Sequence, residues 1–491
     1  MIFVKNTPQK IFSRMPHFLS LLFVFNVVGF AQAANSSLQQ LRDQLVATNG
    51  LRDADVIAIV SEHAFNDTAQ RMKGLEIKLA NGVVLKINSV AIELKPAAAF
   101  VKLGVQAEAS TRIKPVNFRL SGKLGNGEIS GAHLRLPFQL TDVALGAEES
   151  KSATVIKYLL SEWLAPAKWN SALPPLEIPL QLKQTIEIPA ATFESNGEMP
   201  MTLTTPAYQF NLEFWLQSFF VLERRAVLAL SLQPWAEQAR THFAPIDGVE
   251  DDADIIREIA QFTQHLLTSN DLRILIRKNA ANNLLNKIAA AREIDLNVKL
   301  KPGRIRTEEV DALVGKILNY TDAESGDGAA NVSKLSVENF NEAKINLRLS
   351  GDGEINAKVK GREFGIPYYF SPRGKFSLVN ELVPLTITSN DGHLMIGAAA
   401  GAIVPVKVNL AIPVAGRAFN FSRTINLQAD QWLKGLELPA LFEPEINFPR
   451  RIVIGKNNEM NVVNTERSRY TVANLQVNIQ SENIEVQADI K

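Results

Sequence analysis

Asp55-Val-Ile-Ala-Ile-Val60 and Asp271-Leu-Arg-Ile-Leu-Ile276 decide how this chain divides, because the residues behind each of them also match. Behind the first run stand Phe65, Thr68, Ala69 and Met72; behind the second, at a constant offset of 216 residues, stand Ala281, Leu284, Leu285 and Ile288. Each run has strand character, and each leads into apolar residues at i, i+3, i+4 and i+7, the spacing that lines one face of an α-helix. Ala64 and Asn66 reappear as Ala280 and Asn282. A second echo comes later in the same order: Pro189 precedes Asn196-Gly-Glu-Met199, and Pro449 precedes Asn457-Asn-Glu-Met460. Two echoes in one chain order predict an internal duplication; chance matching of apolar patterns is the alternative.

Outside the two helices the pattern is that of antiparallel strands, with apolar and polar residues alternating over short runs. Leu75 to Leu79, Asn81-Gly82 and Val83 to Ile87 read as a hairpin, since Asn-Gly accepts the positive φ angles of a tight turn. Val116, Phe118 and Leu120 alternate before Gly125-Asn126-Gly127, and Leu134, Leu136, Phe138 and Leu140 alternate on the return. Gly122, Gly131, Gly351 and Gly353 fall in or beside strand patterns, where glycine marks bulges or sharp curvature. Asp322-Ala-Glu-Ser-Gly-Asp-Gly328 has the composition of a loop. Further helical spacing occurs at Ile156, Leu159, Leu160 and Trp163, and at Ile255, Ile259, Phe262 and Leu266 behind the acidic run Glu250-Asp251-Asp252, which suits a helix N-terminus. The expected fold class is α+β, mostly antiparallel β, in two tandem units, each a curved sheet wrapped around a helix.

A short strand, a helix, a long meander, a proline-interrupted middle and closing strands, all occurring twice, resembles the tubular lipid-binding (TULIP) superfamily. The two-unit arrangement is similar to proteins related to bactericidal/permeability-increasing protein. The resemblance implies a curved sheet enclosing a long helix and an apolar tunnel for acyl chains, with phospholipid or another acyl-chain lipid as ligand. It supplies no motif from which site residues transfer. The disulfide common in animal members cannot form, because the chain has no cysteine.

The helix faces are then the expected tunnel walls: Phe65, Ala69 and Met72 in the first unit, Ala281, Leu284, Leu285 and Ile288 in the second. The aromatic run Tyr208 to Leu216 adds Phe210 and Phe214, with Phe219-Phe220 beyond it as an expected apolar mouth. An ordinary packed core is the competing reading for all of these.

Lys5, Lys10 and Arg14 precede an apolar run from Phe18 to Phe30 and the small-residue site Ala31-Gln32-Ala33, the order of parts in a cleaved export signal. The expected boundaries are a signal over 1–33, a first unit over 35–235, a linker over 236–253 and a second unit over 254–491. The expected location is the periplasm of a bacterial-type envelope. The chain carries a net charge of +1, and loss of the basic leader leaves about −2, so the basic footprint of nucleic-acid binding is missing.

Chemistry-bearing motifs are scarce. The six histidines (17, 63, 133, 242, 265 and 393) include no pair at a metal-ligand spacing, and the Gly-x-Ser-x-Gly elbow and phosphate-binding glycine loop do not occur. The sequence therefore predicts neither an enzyme nor a metal or cofactor site. It predicts an exported lipid-binding protein that transfers lipid within the envelope; the rival is a non-catalytic two-unit scaffold or interaction protein whose β-cores are filled.

Overall fold

The computed structural model describes residues 37–109, 113–145, 151–161, 176–188, 190–195, 201–232, 252–290, 295–313, 315–341, 344–390, 393–414, 417–432, 436–437, 445–455, 460–469 and 471–490. The expected signal over 1–33, nearly all of the linker and most of the second echo lie outside these residues.

A seven-stranded central sheet runs in the order β10 (Gln181–Ile188), β13 (Tyr208–Leu222), β14 (Arg225–Ser231), β1 (Val56–Ser61), β15 (Leu272–Arg277), β29 (Asn483–Ile490) and β28 (Val472–Ile479). A second sheet runs β27 (Met460–Arg469), β26 (Glu445–Ile454), β2 (Glu76–Lys78), β3 (Val84–Lys95), β4 (Ala98–Glu108), β5 (Val116–Leu124) and β8 (Phe138–Leu145). The third and largest runs β11 (Ala191–Ser195), β12 (Met201–Thr205), β16 (Asp295–Leu300), β18 (Gly315–Asn341), β19 (Lys344–Glu363), β21 (Arg373–Asn390), β22 (His393–Ala398) and β25 (Leu436–Glu437). Strands β17 (Gly303–Ala312), β20 (Ile366–Phe370), β23 (Ile403–Val414) and β24 (Arg417–Gln428) extend it. Strands β6 (Glu128–Ser130), β7 (His133–Leu136) and β9 (Leu176–Pro179) form a small fourth sheet. The described pairings are antiparallel except the short parallel contact of β2 with β26. Helices are α1 (Ser37–Ala47), α2 (Glu62–Gln70), α3 (Lys151–Leu159), α4 (Ala253–Phe262), α5 (Lys278–Ala290) and α6 (Ala429–Trp432).

The two echo runs become β1 and β15, and they lie side by side. Ala58 sits opposite Ile274, its own counterpart 216 residues later. Outward from that pair the register repeats. In the flanking hairpins Val221 faces Ala226 and Ile479 faces Ile484, both displaced by 258 residues. Both hairpins carry a bulge at the matching place, before Ser218 and before Gln476. The Asp55 carboxylate accepts from Leu232 N at 2.9 Å and the Asp271 carboxylate from Ile490 N at 3.1 Å, again 258 apart. Ser61 N donates to Asp271 O and Arg277 N to Asp55 O, reciprocally. The register of the central sheet is thus two-fold symmetric about Ala58 and Ile274.

Strands β1 and β14 are apolar on both faces because both are covered. Val56, Ala58, Leu228 and Leu230 join the main core between the sheets. Ile57, Ile59, Val227, Ala229 and Phe220 face a second core, closed by Leu38, Leu41 and Leu45 of α1 and Ile259 of α4. Helix α4 starts where the acidic run predicts, with the Asp252 side chain accepting from Asp254 N and Ile255 N. Phe219-Phe220 is corrected here: both rings are buried, one in each core, and offer no mouth.

Three local expectations change. Asp322 to Gly328 is not a loop but the middle of the 27-residue strand β18. Its glycines serve close approach: a Cβ on Gly328 would stand 2.5 Å from Glu354 O, and one on Gly326 2.8 Å from the Leu300 side chain. Leu134 to Leu140 is not one strand, because the chain changes sheet at Pro137, β7 joining β6 and β9 while β8 joins β5. The Asn81-Gly82 hairpin forms, but Gly82 alone takes positive φ, and Asn81 contributes its side chain, which accepts from Val83 N at 3.2 Å. Gly122 and Gly351 do lie at register shifts.

Candidate functional site

Helix α2 lies along β3 and satisfies strand backbone that no neighbouring strand reaches. Ser61 caps it, accepting from Ala64 N at 3.0 Å. Asn66 Nδ2 donates to Ile92 O at 2.8 Å while Asn66 Oδ1 accepts from Ile92 N at 2.7 Å. Gln70 Nε2 donates to Val90 O and the Glu62 carboxylate accepts from Leu94 N, both at 2.6 Å. Alternate residues of β3 are thereby closed by side chains in place of a strand. In the other half, Asn282 Oδ1 accepts from Val337 N of β18 at 2.5 Å, so the repeated asparagine has the same work on α5.

With the polar face so fixed, each helix turns its apolar face inward. Ala69 and Met72 are fully buried in the main core. Phe65, Ala281 and Leu285 pack against that core yet remain half-exposed, as does Phe214 on β13. Leu284 is half-exposed too. The side chains of Ile288 and Phe210 lie outside the described ones, although their backbones belong to α5 and β13.

The sheets contribute residues that helical spacing could not reveal. Val101 and Leu103 on β4, and Leu335 and Leu347 on β18 and β19, line the same core and are likewise half-exposed. In β4 they alternate with Lys102, so the period of two carried the signal. Apolar surface facing inward but not fully covered is therefore present beside each helix.

Where the halves meet, Asp271 is buried and receives Ser61 Oγ at 2.9 Å and His63 Nδ1 at 2.8 Å on one oxygen. The hydrogen bond and charge of Asp271, with Asp67 beyond, raise the His63 pKa above the ordinary histidine value. Ser61 is not set up as a nucleophile, because its hydroxyl donates to the aspartate and caps α2, while the imidazole binds the same carboxylate oxygen. Burial, together with the charge of Arg52, lowers the His265 pKa. Among the described residues no three His, Asp or Glu side chains form a metal-binding group.

No protein-family model and no curated protein matches the sequence. Among solved structures the chain is similar to one described as the crystal structure of lipopolysaccharide binding protein, at 10% identity over 89% of this chain and 99% of that one, with a TM-score of 0.25. That likeness is too slight to bear on the ligand of this chain.

Proposed function

We propose that the protein is an exported, non-enzymatic lipid-binding protein of a bacterial-type envelope, built by duplication of one helix-and-sheet unit. It takes phospholipid or another acyl-chain lipid into the apolar space beside α2 and α5 and carries it between membranes. One observation supports this above all: the inward faces Phe65, Val101 and Leu103 in one half, and Ala281, Leu285, Leu335 and Leu347 in the other, stay half-exposed within an otherwise buried core. Apolar side chains in that state gain from a ligand that covers them, at about 0.8 kcal/mol per buried methylene. The repeated register about Ala58 and Ile274 supports duplication, since independent halves have no reason to share bulge positions.

A filled scaffold is the second reading, favoured by the complete burial of Ile355 and Val359 in the larger sheet. Uptake of a fluorescent acyl lipid by the purified protein separates the two. Phe65→Asp and Leu285→Asp place a charge in the two spaces and should each lower uptake, and the pair together should abolish it. Uptake that is absent in the native chain, or unchanged in the paired variant, favours the scaffold.

A further inference from the structure

Strands β17–β18 and β19–β20 close in two turns at one end of the third sheet. Tyr320 pairs with Arg362, and beyond that pair the strands run on to turns at 312–315 and 363–366. Phe364 N donates to Asn319 Oδ1 at 2.9 Å and ties the two turns together. Phe364 has φ +47° and Gly365 φ +82°. The first position of such a turn ordinarily takes asparagine, aspartate or glycine. A phenylalanine there is a conformational outlier that folding alone does not call for.

The side chains at this end form layers. Outermost are Leu313, which is fully exposed, Phe364 at 59%, Ile366 at 70% and Leu318 at 43%. Behind them stand three of the chain's six tyrosines, Tyr320, Tyr368 and Tyr369. The Tyr368 hydroxyl bonds Thr321, and the Arg304 guanidinium lies over the Tyr320 ring at 4.5 Å. The charges are neutralised in pairs: Arg304 with Asp322 at 2.7 Å, Lys360 with Glu324 at 2.9 Å, Lys316 with Glu309 at 3.2 Å, and Arg306 with Glu308 and Glu363.

Apolar tips, then tyrosines, then paired charges match the sequence of environments met on leaving a bilayer: hydrocarbon, interface, water. Side chains projecting from turns offer a protein partner neither a groove nor a flat face, whereas a bilayer yields around them. Pairing of the charges lowers the cost of bringing them near hydrocarbon and leaves no net field by which to prefer anionic lipid. We propose that these two turns dip into the surface of a lipid bilayer and dock the protein there without requiring anionic headgroups. These residues are separate from the inward faces beside α2 and α5, so docking and lipid uptake stand or fall independently.

Sedimentation of the purified mature protein with phosphatidylcholine vesicles at low and high salt tests this. Binding should occur and persist at high salt. Phe364→Asp with Ile366→Asp should weaken it at least about tenfold, and Leu313→Asp should weaken it alone, serving also if the paired variant fails to fold. Val463→Asp, at an exposed residue of β27, should leave binding unchanged. Uptake of fluorescent acyl lipid without vesicles should be the same in all variants. Absence of vesicle binding, or binding undiminished in folded tip variants, overturns the proposal. So does tip-dependent self-association without vesicle binding, which would assign the surface to a second copy.

Discussion

Asp55 and Asp271 each open an echo run, and each holds the last strand of its own half by a backbone amide. Asp271 carries more, receiving Ser61, His63 and Ile490 N while buried, so Asp271→Ala strands several donors at once. We expect a loss of about 2–3 kcal/mol, from the usual cost of leaving buried polar groups unmatched; equilibrium urea unfolding measures it. His63 adds a pH dependence. Its folded pKa is raised, so its contribution is complete below the ordinary value of about 6.5 and is lost as pH rises through the folded value. In His63→Gln that fall should disappear from the unfolding midpoint measured across the same range, and an imidazole NMR titration of the native protein should place its pKa above the ordinary one. Both aspartates were visible in the sequence, but their tasks were not. Their acceptor roles depend on partners some 177 and 219 residues away, a distance over which no periodic signal reaches.

At the scale of elements, the helices after β1 and β15 were legible because an amphipathic face leaves a 3.6-residue period, and the repeated Asn66 and Asn282 reported a shared contact with a strand. The long strand β18 was not legible through Asp322 to Gly328. Acidic residues and glycines read as a loop until cross-strand partners are known, here Arg304 and Lys360 for the carboxylates and Leu300 and Ile355 for the glycines. Gly353 shows the same logic at a testable position. It lies opposite Phe376, and a Cβ there would overlap Ala329 O and stand 2.6 Å from the Phe376 ring. Gly353→Ala should cost about 1–3 kcal/mol by overpacking. Because the ring can yield and the carbonyl cannot, Phe376→Ala in the same chain should restore only part of that loss, read as a coupling energy in a double-mutant cycle. The inward sheet residues Val101, Leu103, Leu335 and Leu347 escaped notice for another reason: a period of two says that a face is apolar, not that it is incompletely covered.

Across the whole molecule the halves are interlocked. β1 pairs with β15 in the central sheet, β12 of the first half pairs with β16 of the second, and β26 of the second half pairs with β2 of the first. A protease site placed between Leu232 and Asp252 should therefore leave both fragments eluting together from a sizing column after cleavage, and separating only in denaturant. Fragments that part under native conditions would contradict the three shared pairings. Duplication also explains why one chain has apolar surface in two places, beside α2 and beside α5, and it implies two comparable ligand sites. The most direct measurement is native mass spectrometry of the mature protein purified without detergent, followed by organic extraction and identification of what it carried. Enclosure of acyl chains beside the two helices predicts bound mass that extracts as phospholipid or another acyl lipid, reduced in Phe65→Asp and in Leu285→Asp; a bare protein mass that stays bare after exposure to lipid would contradict it.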